Sequence, residues 1–594
     1  MCGIYITNIG YEKELVVKKL ESFRYRGPDN LGYEKVDNIS LGHLRLSILD
    51  PDKRSNQPFE FDSSYITYNG EIYNFQEVRD ELIKDGYTFD TTSDTEVLIK
   101  GYRKWGKSVL DKLNGMFAFA IYDTHKEQVF CARDRLGVKP FYYYWENGNF
   151  EISSQLRPLI NKESKISEQA VSIYLDCGYV PSPYSIIENV FKLPPGNFMV
   201  IDIKRNTRTV TEYWNLKPAK IRNISYEDAK TELHELLKDA VKIRLRSDVP
   251  LGAFLSGGVD SALVSGIASR VSEKPINTFT IGFDDPKFDE SKVARQFADI
   301  IGSNHIETQC SANDAIGLIG KLVEVYDEPF ADSSALPSLL LNKITKNYVT
   351  VALSGDGGDE SFLGYDHFDA VNRFRHVNKI PYAFRKTLSK LIPNRKYAYI
   401  LAVKNMREFI KIRFTGYNSL QKNVQVNWWQ YYDDSLQLSN NPIQQTADLN
   451  IKLWLENDSN VKVDRASMAY SVEVRSPFLD YRVIEFARSL PVKYRYKKGR
   501  KKHILKDILS EYIPESVFSL PKKGFAVPMR SWLLKELKGD VLNKLSDEFL
   551  ARIPNLDINK IKRRMDLHFN EKEDYKFDIW KLYVLALWYE EFNF

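Results

Sequence analysis

The chain has 594 residues, of which 43% are hydrophobic and 27% charged, and its formal net charge is +5. This length exceeds what one ordinary hydrophobic core holds, so we expect two or three globular domains. The small net charge gives no reason to expect a nucleic-acid partner, and no apolar run is long enough to predict membrane insertion.

The cysteines are scattered along the chain at Cys2, Cys131, Cys177 and Cys310, and no two of them form a CxxC pair. This spacing is not typical of a disulfide framework or of a zinc site. No basic segment precedes an apolar signal core. The pattern therefore predicts a cytoplasmic protein.

Residues 1–205 carry short apolar runs that are rich in β-forming residues and separated by turn-forming residues. One helical pattern lies among them, around Phe75–Lys84. Strands with few helices predict a layered α+β domain. The following segment, 206–220, is polar and basic with one proline, and predicts a linker. The apolar runs are Tyr65–Tyr68, Met116–Tyr122, Val129–Ala132 and Phe141–Trp145.

The pattern changes over 221–594, which we predict to be the second domain. Ser225 and Asp228 form a capping box at the start of a helix. Apolar strand-like runs then alternate with helical patterns, which predicts βαβ units and a parallel sheet. The last 220 residues or so look mainly helical and aromatic. The strand-like runs are Pro250–Leu255, Ile276–Phe283 and Tyr348–Leu353.

A cysteine follows the initiator methionine directly. Gly3 comes next, and a small residue at position 2 favours removal of Met1, which would place the thiol and a free α-amine on Cys2. That amine, with a pKa of roughly 7.7–8.0, can accept the thiol proton, so Cys2 needs no separate base to act as a nucleophile. Taken alone, a cysteine that only begins a strand is the better interpretation.

Further polar residues fit an amide substrate of the amino-acid type. We expect a tight turn at NGE, where the Asn69 side chain and the Gly70 N–H would donate to an oxyanion. Arg45 is the candidate partner of an α-carboxylate, and Asp94 that of an α-ammonium, with Glu71 nearby. Each of these residues, taken singly, also fits a surface turn or a solvated charge.

Together these segments resemble the class II glutamine amidotransferases with an N-terminal nucleophile. The matching motifs are MCGI, RGPD, HLRLSILD, NGEIYN, SDTE, GMFAFAIYD and ARDRLGVKPFYY, in this order within residues 1–160. The resemblance implies a four-layer αββα domain of the N-terminal nucleophile hydrolase type. It also implies a glutaminase that releases ammonia, with Cys2, Asn69 and Gly70 in catalysis and Arg45, Asn69, Glu71 and Asp94 binding glutamine.

The motif LSGGVDSA follows a strand-like run and precedes a helical pattern. Gly257 and Gly258 let the backbone approach an anion closely, and Ser256 and Ser261 offer hydroxyl donors near a helix N-terminus. Asp260 suits Mg²⁺, which prefers oxygen ligands. The motif lacks the GK[ST] ending of a Walker A loop.

A second glycine-rich motif, LSGDGGDESFLGY, also follows a strand-like run and predicts another phosphate and metal site. Asp359 is the candidate second Mg²⁺ ligand, and Asp356 could take a proton from attacking ammonia. Farther on, Lys502 lies in the basic run KKGRKKHILK, ahead of LPKKGFAVPM, and we expect it to reach phosphates at the entry to a helix. A solvated face or a nucleic-acid contact are the alternatives for this run.

The order SGGxDS, SGxGxDE, DRxSMAxxxExRxPFLD, KxxLK between about residues 225 and 530 resembles the glutamine-hydrolysing asparagine synthetases. The resemblance implies an α/β parallel-sheet ATP-pyrophosphatase domain with a mainly helical C-terminal part. It implies Mg²⁺ ligands Asp260 and Asp359, a phosphate-facing Lys502 and a base at Asp356, where many members have Glu. It places ATP at Ser256, Gly257, Gly258, Asp260, Ser261, Ile281, Ser354 and Gly355.

The implied function is ATP-dependent amidation of a carboxylate, L-aspartate in the first place, with ammonia from glutamine. The resemblance also implies an internal ammonia passage and allows a homodimer. The alternative that stays open is the same chemistry on a uronic acid of a surface polysaccharide. Two others are disfavoured: an adenylating cyclase similar to β-lactam synthetase, and a non-catalytic nucleotide-binding or nucleic-acid-binding protein, which would retain every reactive residue by accident. The cyclases lack a working N-terminal cysteine, which this chain has.

Overall fold

The structure, a computed structural model, describes residues 2–392, 394–415, 419–422, 428–518 and 527–594. Met1, whose removal was predicted, and residues 520–526 of the motif LPKKGFAVPM lie outside this set.

The N-terminal part is built from antiparallel strands and a few helices. The strands are β1 Gly3–Thr7, β2 Asn30–Val36, β3 Ile39–Arg45, β4 Phe59–Phe61, β5 Ser64–Ile72, β6 Gly115–Asp123, β7 Gln128–Arg133, β8 Tyr142–Glu146, β9 Asn149–Ser153, β10 Val190–Lys192, β11 Asn197–Asp202 and β12 Thr207–Glu212. The helices are α1 Lys13–Glu21, α2 Phe75–Lys84, α3 Asp94–Trp105, α4 Val109–Lys112 and α5 Glu168–Cys177. Short 3-10 turns lie at Arg24–Arg26, Lys53–Ser55, Gly106–Ser108 and Arg157–Leu159.

These strands form two sheets with the orders β10-β8-β9-β1-β3-β2 and β12-β11-β7-β6-β5-β4. Alternate residues of β1 and β6, such as Ile6 and Ala120, pack between the sheets in one apolar cluster. Leu20 of α1 packs against the outer face of the first sheet, and Leu82 of α2 against that of the second. The order of layers is therefore helix, sheet, sheet, helix, and the layered α+β prediction is confirmed.

The segment predicted as a linker begins as a strand. Residues 207–212 form β12 and pair with β11 along its whole length, from Asn197 opposite Glu212 to Asp202 opposite Thr207. The prediction of a linker over 206–220 is wrong for this stretch. The sequence TRTVTE is polar because β12 lies at the edge of its sheet with most of its side chains exposed, and polar edges protect sheets from unwanted pairing.

The second part contains a parallel sheet with the order β15-β14-β13-β16-β17. The predicted runs correspond to β13, β14 and β16, whereas β15 and β17 were not predicted. β15 is a polar, half-exposed edge strand, and β17 has only the three residues EVR, so neither shows an apolar run. The strands are β13 Leu251–Phe254, β14 Asn277–Phe283, β15 Asn304–Cys310, β16 Val351–Leu353 and β17 Glu473–Arg475, followed by the hairpin β18 Tyr496–Lys497 and β19 Arg500–Lys501.

Helices surround this sheet and make up most of the C-terminal part, as predicted. Helix α6 begins after Ser225, whose hydroxyl accepts the N–H of Asp228. None of the described helices is long and apolar enough to cross a bilayer. The helices up to the second loop are α6 Tyr226–Arg244, α7 Val259–Val271, α8 Ser291–Ile301, α9 Ala312–Ile316, α10 Ile319–Tyr326, α11 Ala335–Thr345 and α12 Gly358–Ser361.

The remaining helices follow in chain order. They are α13 Asp366–Val377, α14 Tyr382–Ser389, α15 Arg395–Ala402, α16 Met406–Thr415, α17 Gln430–Asp433, α18 Pro442–Leu449, α19 Val461–Met468, α20 Tyr481–Ser489, α21 Val492–Arg495, α22 His503–Leu509, α23 Glu515–Phe518, α24 Met529–Leu534, α25 Lys538–Lys544, α26 Asp547–Arg552, α27 Ile558–Phe569 and α28 Lys576–Glu591. A π-helix spans Asn450–Asn460, and 3-10 turns lie at Asp434–Gln437 and Pro477–Leu479.

The two parts of the chain meet through buried ion pairs as well as apolar contacts. Asp464 of α19 accepts two hydrogen bonds from Arg26, at 2.8 and 3.1 Å, and lies 3.4 Å from the Lys139 ammonium. Burial alone would raise the pKa of Asp464, but Arg26 and Lys139 hold it below its usual range. Removing this carboxylate would leave two buried cations without their anion.

We therefore predict that Asp464→Asn lowers the free energy of unfolding by about 3 kcal/mol, since breaking a buried pair leaves an uncompensated charge. Urea denaturation followed by tryptophan fluorescence measures the change. Asp547→Asn is the matched control, because its partner Lys562 and Asp547 itself are largely exposed, and it should cost less than about 0.5 kcal/mol. Equal effects of the two substitutions would contradict a structural role for Asp464.

Candidate active site

Cys2 lies directly before β1 and is buried, with 8% of its surface exposed. It faces a partly open cavity of about 390 Å³. The lining brings together most of the residues that the sequence predicted for a glutamine site, namely Cys2, Arg45, Gly70, Glu71 and Asp94. Burial raises the pKa of the Cys2 thiol, while the nearby Arg45 lowers it.

Asn69 contacts the nucleophile through the main chain. The Cys2 N–H donates to Asn69 Oδ1 at 2.9 Å, and within the described part of the chain Asn69 Nδ2 is buried without a hydrogen-bond partner. The carbonyl end of the amide is thus engaged and the donor end is available, as a predicted oxyanion donor requires. Its catalytic role stays a prediction.

The expected tight turn at NGE is wrong. Asn69, Gly70 and Glu71 lie inside β5 and pair with β6, where Gly70 is opposite Phe117. A Cβ on Gly70 would lie 2.2 Å from the carbonyl oxygen of Met116, so the glycine is needed for close approach of the two strands and not for a turn. Gly70 nevertheless lines the cavity.

Arg45 and Asp94 line the same cavity and are held there by different hydrogen-bond partners. The Arg45 guanidinium donates to the carbonyl of Asp52 at 2.7 Å and to Asn56 Oδ1 at 2.8 Å, which holds the loop after β3 over the site. Asp94, at the start of α3, accepts the Tyr68 hydroxyl at 2.7 Å and the Ile72 N–H at 2.9 Å. Burial raises the pKa of Asp94 to about 6.

Two residues from the second part of the chain complete this site, and sequence reasoning missed one of them and left the other open. Glu473 of β17 lines the Cys2 cavity, and Arg475 of the same strand lies 3.1 Å from Glu71 and 2.6 Å from Glu473. Burial alone would raise the pKa of Glu473, but neighbouring cations, including Arg475 and Lys139, lower it to about 2. The signal in the sequence was a charged pair, E-x-R, in a strand too short to recognise.

The two predicted nucleotide loops lie side by side at the carboxyl ends of β13 and β16. Adjacent parallel strands bring their following loops to one edge of the sheet, where ligands bind in such folds. The Ser256 and Ser261 hydroxyls are 2.8 Å apart across the first loop. A Cβ on Gly355 would lie 2.7 Å from the Ser261 nitrogen, so the glycine permits the two loops to touch.

Lys502 lies at the entry to α22, as predicted, and its side chain reaches this junction, whereas its contact with phosphates stays a prediction. Its ammonium contacts the Asp260 carboxylate and lies 2.6 Å from that of Asp359. One nitrogen thus touches both predicted metal ligands, so these carboxylates converge on one point with the oxygen donors that suit Mg²⁺. Among the described residues no cluster of three possible metal ligands is found, so substrate oxygens or water would have to complete the coordination.

Asp356 lines a second cavity, of about 310 Å³, together with Ser354, Lys139, Val474 and Ser476. The Ser476 hydroxyl donates to the main-chain carbonyl of Asp356 at 2.5 Å. The structure places Asp356 beside the nucleotide loops, but its role as a base stays a prediction.

Glu360 is a second carboxylate of the same motif. It is buried and accepts the Tyr365 hydroxyl at 2.7 Å. Burial, and then the charge of Asp359, raise the pKa of Glu360 to about 7. Glu360 is therefore a buried carboxyl beside Asp359 whose pKa lies close to neutral pH.

Ile281 belongs to the strand that pairs with β13, which leads into the first loop, and its contact with the nucleotide stays a prediction. It lies in β14 and packs in an apolar cluster with Phe283 and Cys310, whereas Leu255 and Val259 of the first loop belong to another cluster. The preceding residue, Thr280, contacts the Leu255 carbonyl with its hydroxyl. Neighbouring strand residues point to opposite faces, so the Ile281 side chain points away from that of Thr280.

We predict that the ionised form of Asp94 is needed to hold an amino-acid ammonium. Since the pKa of this carboxyl is about 6 in the folded protein, kcat/KM for glutamine hydrolysis should fall as the pH drops below about 6. Asp94→Asn should remove this acid limb and lower kcat/KM at pH 7.5 by about tenfold or more. The exposed Asp90→Asn is the control. An acid limb that persists in Asp94→Asn would assign the ionisation to another group.

A second prediction concerns Glu473, whose negative charge raises the pKa of the Cys2 thiol. In Glu473→Gln we expect the pH dependence of Cys2 alkylation by iodoacetamide to shift to lower pH, with faster alkylation at pH 7. Cys2→Ala provides the background from the other cysteines. The control is Glu77→Gln, which also removes an interface carboxylate, the partner of Arg246. An unchanged pH profile would show that Glu473 does not act on the thiol.

Comparisons with known proteins agree with this geometry. The "Glutamine amidotransferase domain" profile matches residues 1–214, and the "Asparagine synthase" profile matches residues 232–590. "Asparagine synthetase [glutamine-hydrolyzing] 1" of Bacillus subtilis is 30% identical over 97% of this chain and 94% of its own length. "Putative asparagine synthetase [glutamine-hydrolyzing] 2" of Methanocaldococcus jannaschii is 40% identical over 66% and 81%.

A relative with a different name is similar over the same length. "Amidase chry2" of Gibberella zeae is 27% identical over 96% of each chain. The matches to both halves of the chain show that it belongs to the asparagine synthase family of glutamine-hydrolysing carbon–nitrogen ligases.

Proposed function

We propose that the chain converts L-aspartate to L-asparagine, with glutamine as the ammonia donor and with ATP cleaved to AMP and pyrophosphate. Residues 1–205 act as an N-terminal nucleophile glutaminase, and 221–594 as a synthetase of the ATP-pyrophosphatase type. One observation carries the proposal: successive residues of β17 line the two cavities, Glu473 that of Cys2 and Val474 that of Asp356. Two reactions that share ammonia need this proximity.

In the glutaminase step the Cys2 thiolate attacks the side-chain amide carbon of glutamine. Asn69 Nδ2 and the Gly70 N–H stabilise the oxyanion, and Arg45, Glu71 and Asp94 orient the amino-acid end. The C–N bond breaks as the leaving nitrogen takes a proton, and ammonia departs. Water then attacks the thioester, which releases glutamate and regenerates the thiol.

In the synthetase step the acceptor carboxylate attacks the α-phosphorus of ATP and expels pyrophosphate, which gives an acyl-adenylate. Ammonia attacks the acyl carbon, Asp356 accepts the proton that nitrogen loses, and AMP leaves with the C–O electron pair. Ser256, Ser261 and the N-terminus of α7 bind phosphate oxygens. Lys502 neutralises the charge that develops there.

Asp260 and Asp359 would hold Mg²⁺. When bound, the ion would neutralise charge on the leaving pyrophosphate, and the convergence of both carboxylates on the Lys502 ammonium supports the assignment.

The ammonia has to travel between the sites without meeting bulk water, where it would become ammonium and lose its nucleophilic electron pair. The cavity of Asp356 shares Val138, Ser476 and Leu479 with a further cavity that Met116 and Gly115 also line. Gly115 and Met116 belong to the glutaminase part. A passage along β17 is supported by Glu473 and Val474, neighbours in this strand that line the Cys2 and Asp356 cavities respectively.

The acceptor has one competing candidate. Asp356 replaces the Glu that many family members carry, and a relative of full length is named an amidase. Both observations favour keeping a uronic acid of a surface polysaccharide as the second acceptor, with unchanged chemistry. The named candidates differ in charge, because aspartate carries an ammonium group and a uronic acid does not.

The test is pyrophosphate release from Mg-ATP and glutamine with L-aspartate or a panel of uronic acids. We expect aspartate to drive release with one glutamate and one asparagine formed per pyrophosphate. Release with a uronic acid alone would move the role to polysaccharide modification. No release with any carboxylate would contradict the synthetase assignment.

The matched variant is Cys2→Ala. We expect it to lose glutamine-dependent amidation by at least about a thousandfold, because the nucleophile is gone, while ammonium chloride still supports synthesis near the wild-type rate. Loss of both activities would contradict the assignment of glutamine hydrolysis to residues 1–205 and of amide synthesis to residues 221–594.

A further inference from the structure

Residues 370–407 differ in charge from the rest of the chain. They contain ten Lys and Arg and no Asp or Glu, although the whole protein has a net charge of only +5. This stretch covers most of α13 and all of α14 and α15. Exposed cations of the segment include Lys379, Lys386 and Lys390. A region of this composition has a positive local potential.

The same segment exposes large apolar side chains. Phe384 is 64% exposed, Leu388 38% and Leu391 75%, and Ile380 precedes them at 42%. Phe384 and Leu388 lie four residues apart in α14, so they share one face of the helix. Six exposed large apolar side chains fall within twenty residues: Ile380, Phe384, Leu388, Leu391, Tyr397 and Tyr399.

This exposure is not the result of a loosely attached helix, because a buried arginine fixes α14 from its inner side. The Arg385 guanidinium donates to the carbonyls of Ile380, Leu401, Val403 and Lys404, at 2.7 to 3.2 Å. These bonds join the start of α14 to the end of α15. The outward direction of Phe384 and Leu388 is therefore part of the fold.

The helix pair is also anchored to the core. Phe374 of α13 stacks on Phe409 of α16 with ring centroids 3.9 Å apart, and both rings are buried. The segment is thus held rigidly to the core, and its outer surface combines the apolar Phe384 and Leu388 with exposed lysines. We call this surface, formed by Ile380, Phe384, Lys386, Leu388, Lys390 and Leu391, the α14 face.

We propose that the α14 face docks the enzyme onto an anionic lipid surface. An apolar helix face with flanking lysines lies in the plane of a membrane interface, with the apolar residues among the acyl chains and the cations at the lipid phosphates. No spanning helix is required. The enzyme would work as a peripheral protein on the membrane, whichever acceptor it uses.

Charge and chemistry favour this occupant over two others. A second copy of the chain would bring the same cations against themselves, and like charges facing each other oppose a two-fold contact. A nucleic acid would be bound by several aromatic rings that stack on its bases, whereas three of the four apolar side chains of the α14 face, Ile380, Leu388 and Leu391, are aliphatic. An anionic lipid surface offers phosphates to the lysines and acyl chains to the aliphatic side chains.

The test is co-sedimentation of the full-length enzyme with vesicles. We expect binding to phosphatidylcholine vesicles that contain roughly one third phosphatidylglycerol, weak binding to phosphatidylcholine alone, and release by added salt. Phe384→Ser/Leu388→Ser and Lys386→Glu/Lys390→Glu should each weaken binding by about tenfold or more. Phe577→Ser is the control, since Phe577 is also largely exposed, and it should bind as the wild type does.

Every other outcome overturns the proposal. Absence of binding to anionic vesicles would do so directly, and wild-type binding by both double variants would place the lipid contact elsewhere. A dimer that the Phe384→Ser/Leu388→Ser variant splits in light scattering, without vesicle binding, would identify a second copy as the occupant. Pyrophosphate release by each variant confirms that it is folded, and its result does not depend on the lipid contact.

Discussion

The short strand β17 is the element on which the arrangement of both sites depends. It buries the guanidinium of Arg475, which contacts the carboxyls of Glu71 and Glu473 and donates through Nη1 to the carbonyls of Arg244 and Arg246. A buried arginine without such partners would destabilise the fold by several kcal/mol. Glu71 belongs to the glutaminase part, so the Arg475 guanidinium has all of these partners only when the two parts are docked.

The same strand also supports the nucleotide site. The carbonyl of Arg475 accepts the N–H of Ser354 at 2.9 Å, which fixes the start of the second glycine-rich loop. Its side chains alternate, so that Glu473 and Arg475 face the glutaminase part while Val474 faces the cavity of Asp356. A displacement of β17 would therefore alter both cavities together, which gives the proposed sites a direct mechanical connection.

The sequence predicted best those features whose signal is local. SGGVDS lies between a strand and a helix, as its apolar run and glycines indicated, and Ser225 caps α6 as its spacing to Asp228 indicated. NGE misled because asparagine and glycine usually mark a turn, whereas here the carbonyl of Met116 approaches Gly70 from the neighbouring strand. β17 could not be recognised, because three residues with two charges acquire strand structure only through their neighbours in space.

The charges that bind the two parts together were also beyond reach of the sequence, since Arg26 and Asp464 are separated by 438 positions. Ion pairs of this kind add little net stability over apolar contacts, but they penalise any misaligned docking in which one partner stays unpaired. Lys139 has a further consequence for the proposed ammonia passage. It is a buried cation on the cavity of Asp356, and like charge repels ammonium but not neutral ammonia. Asp464 and Asp356 line the same cavity and offset this repulsion, so the desolvation cost of a buried ammonium is what favours the unprotonated species that the synthetase reaction needs.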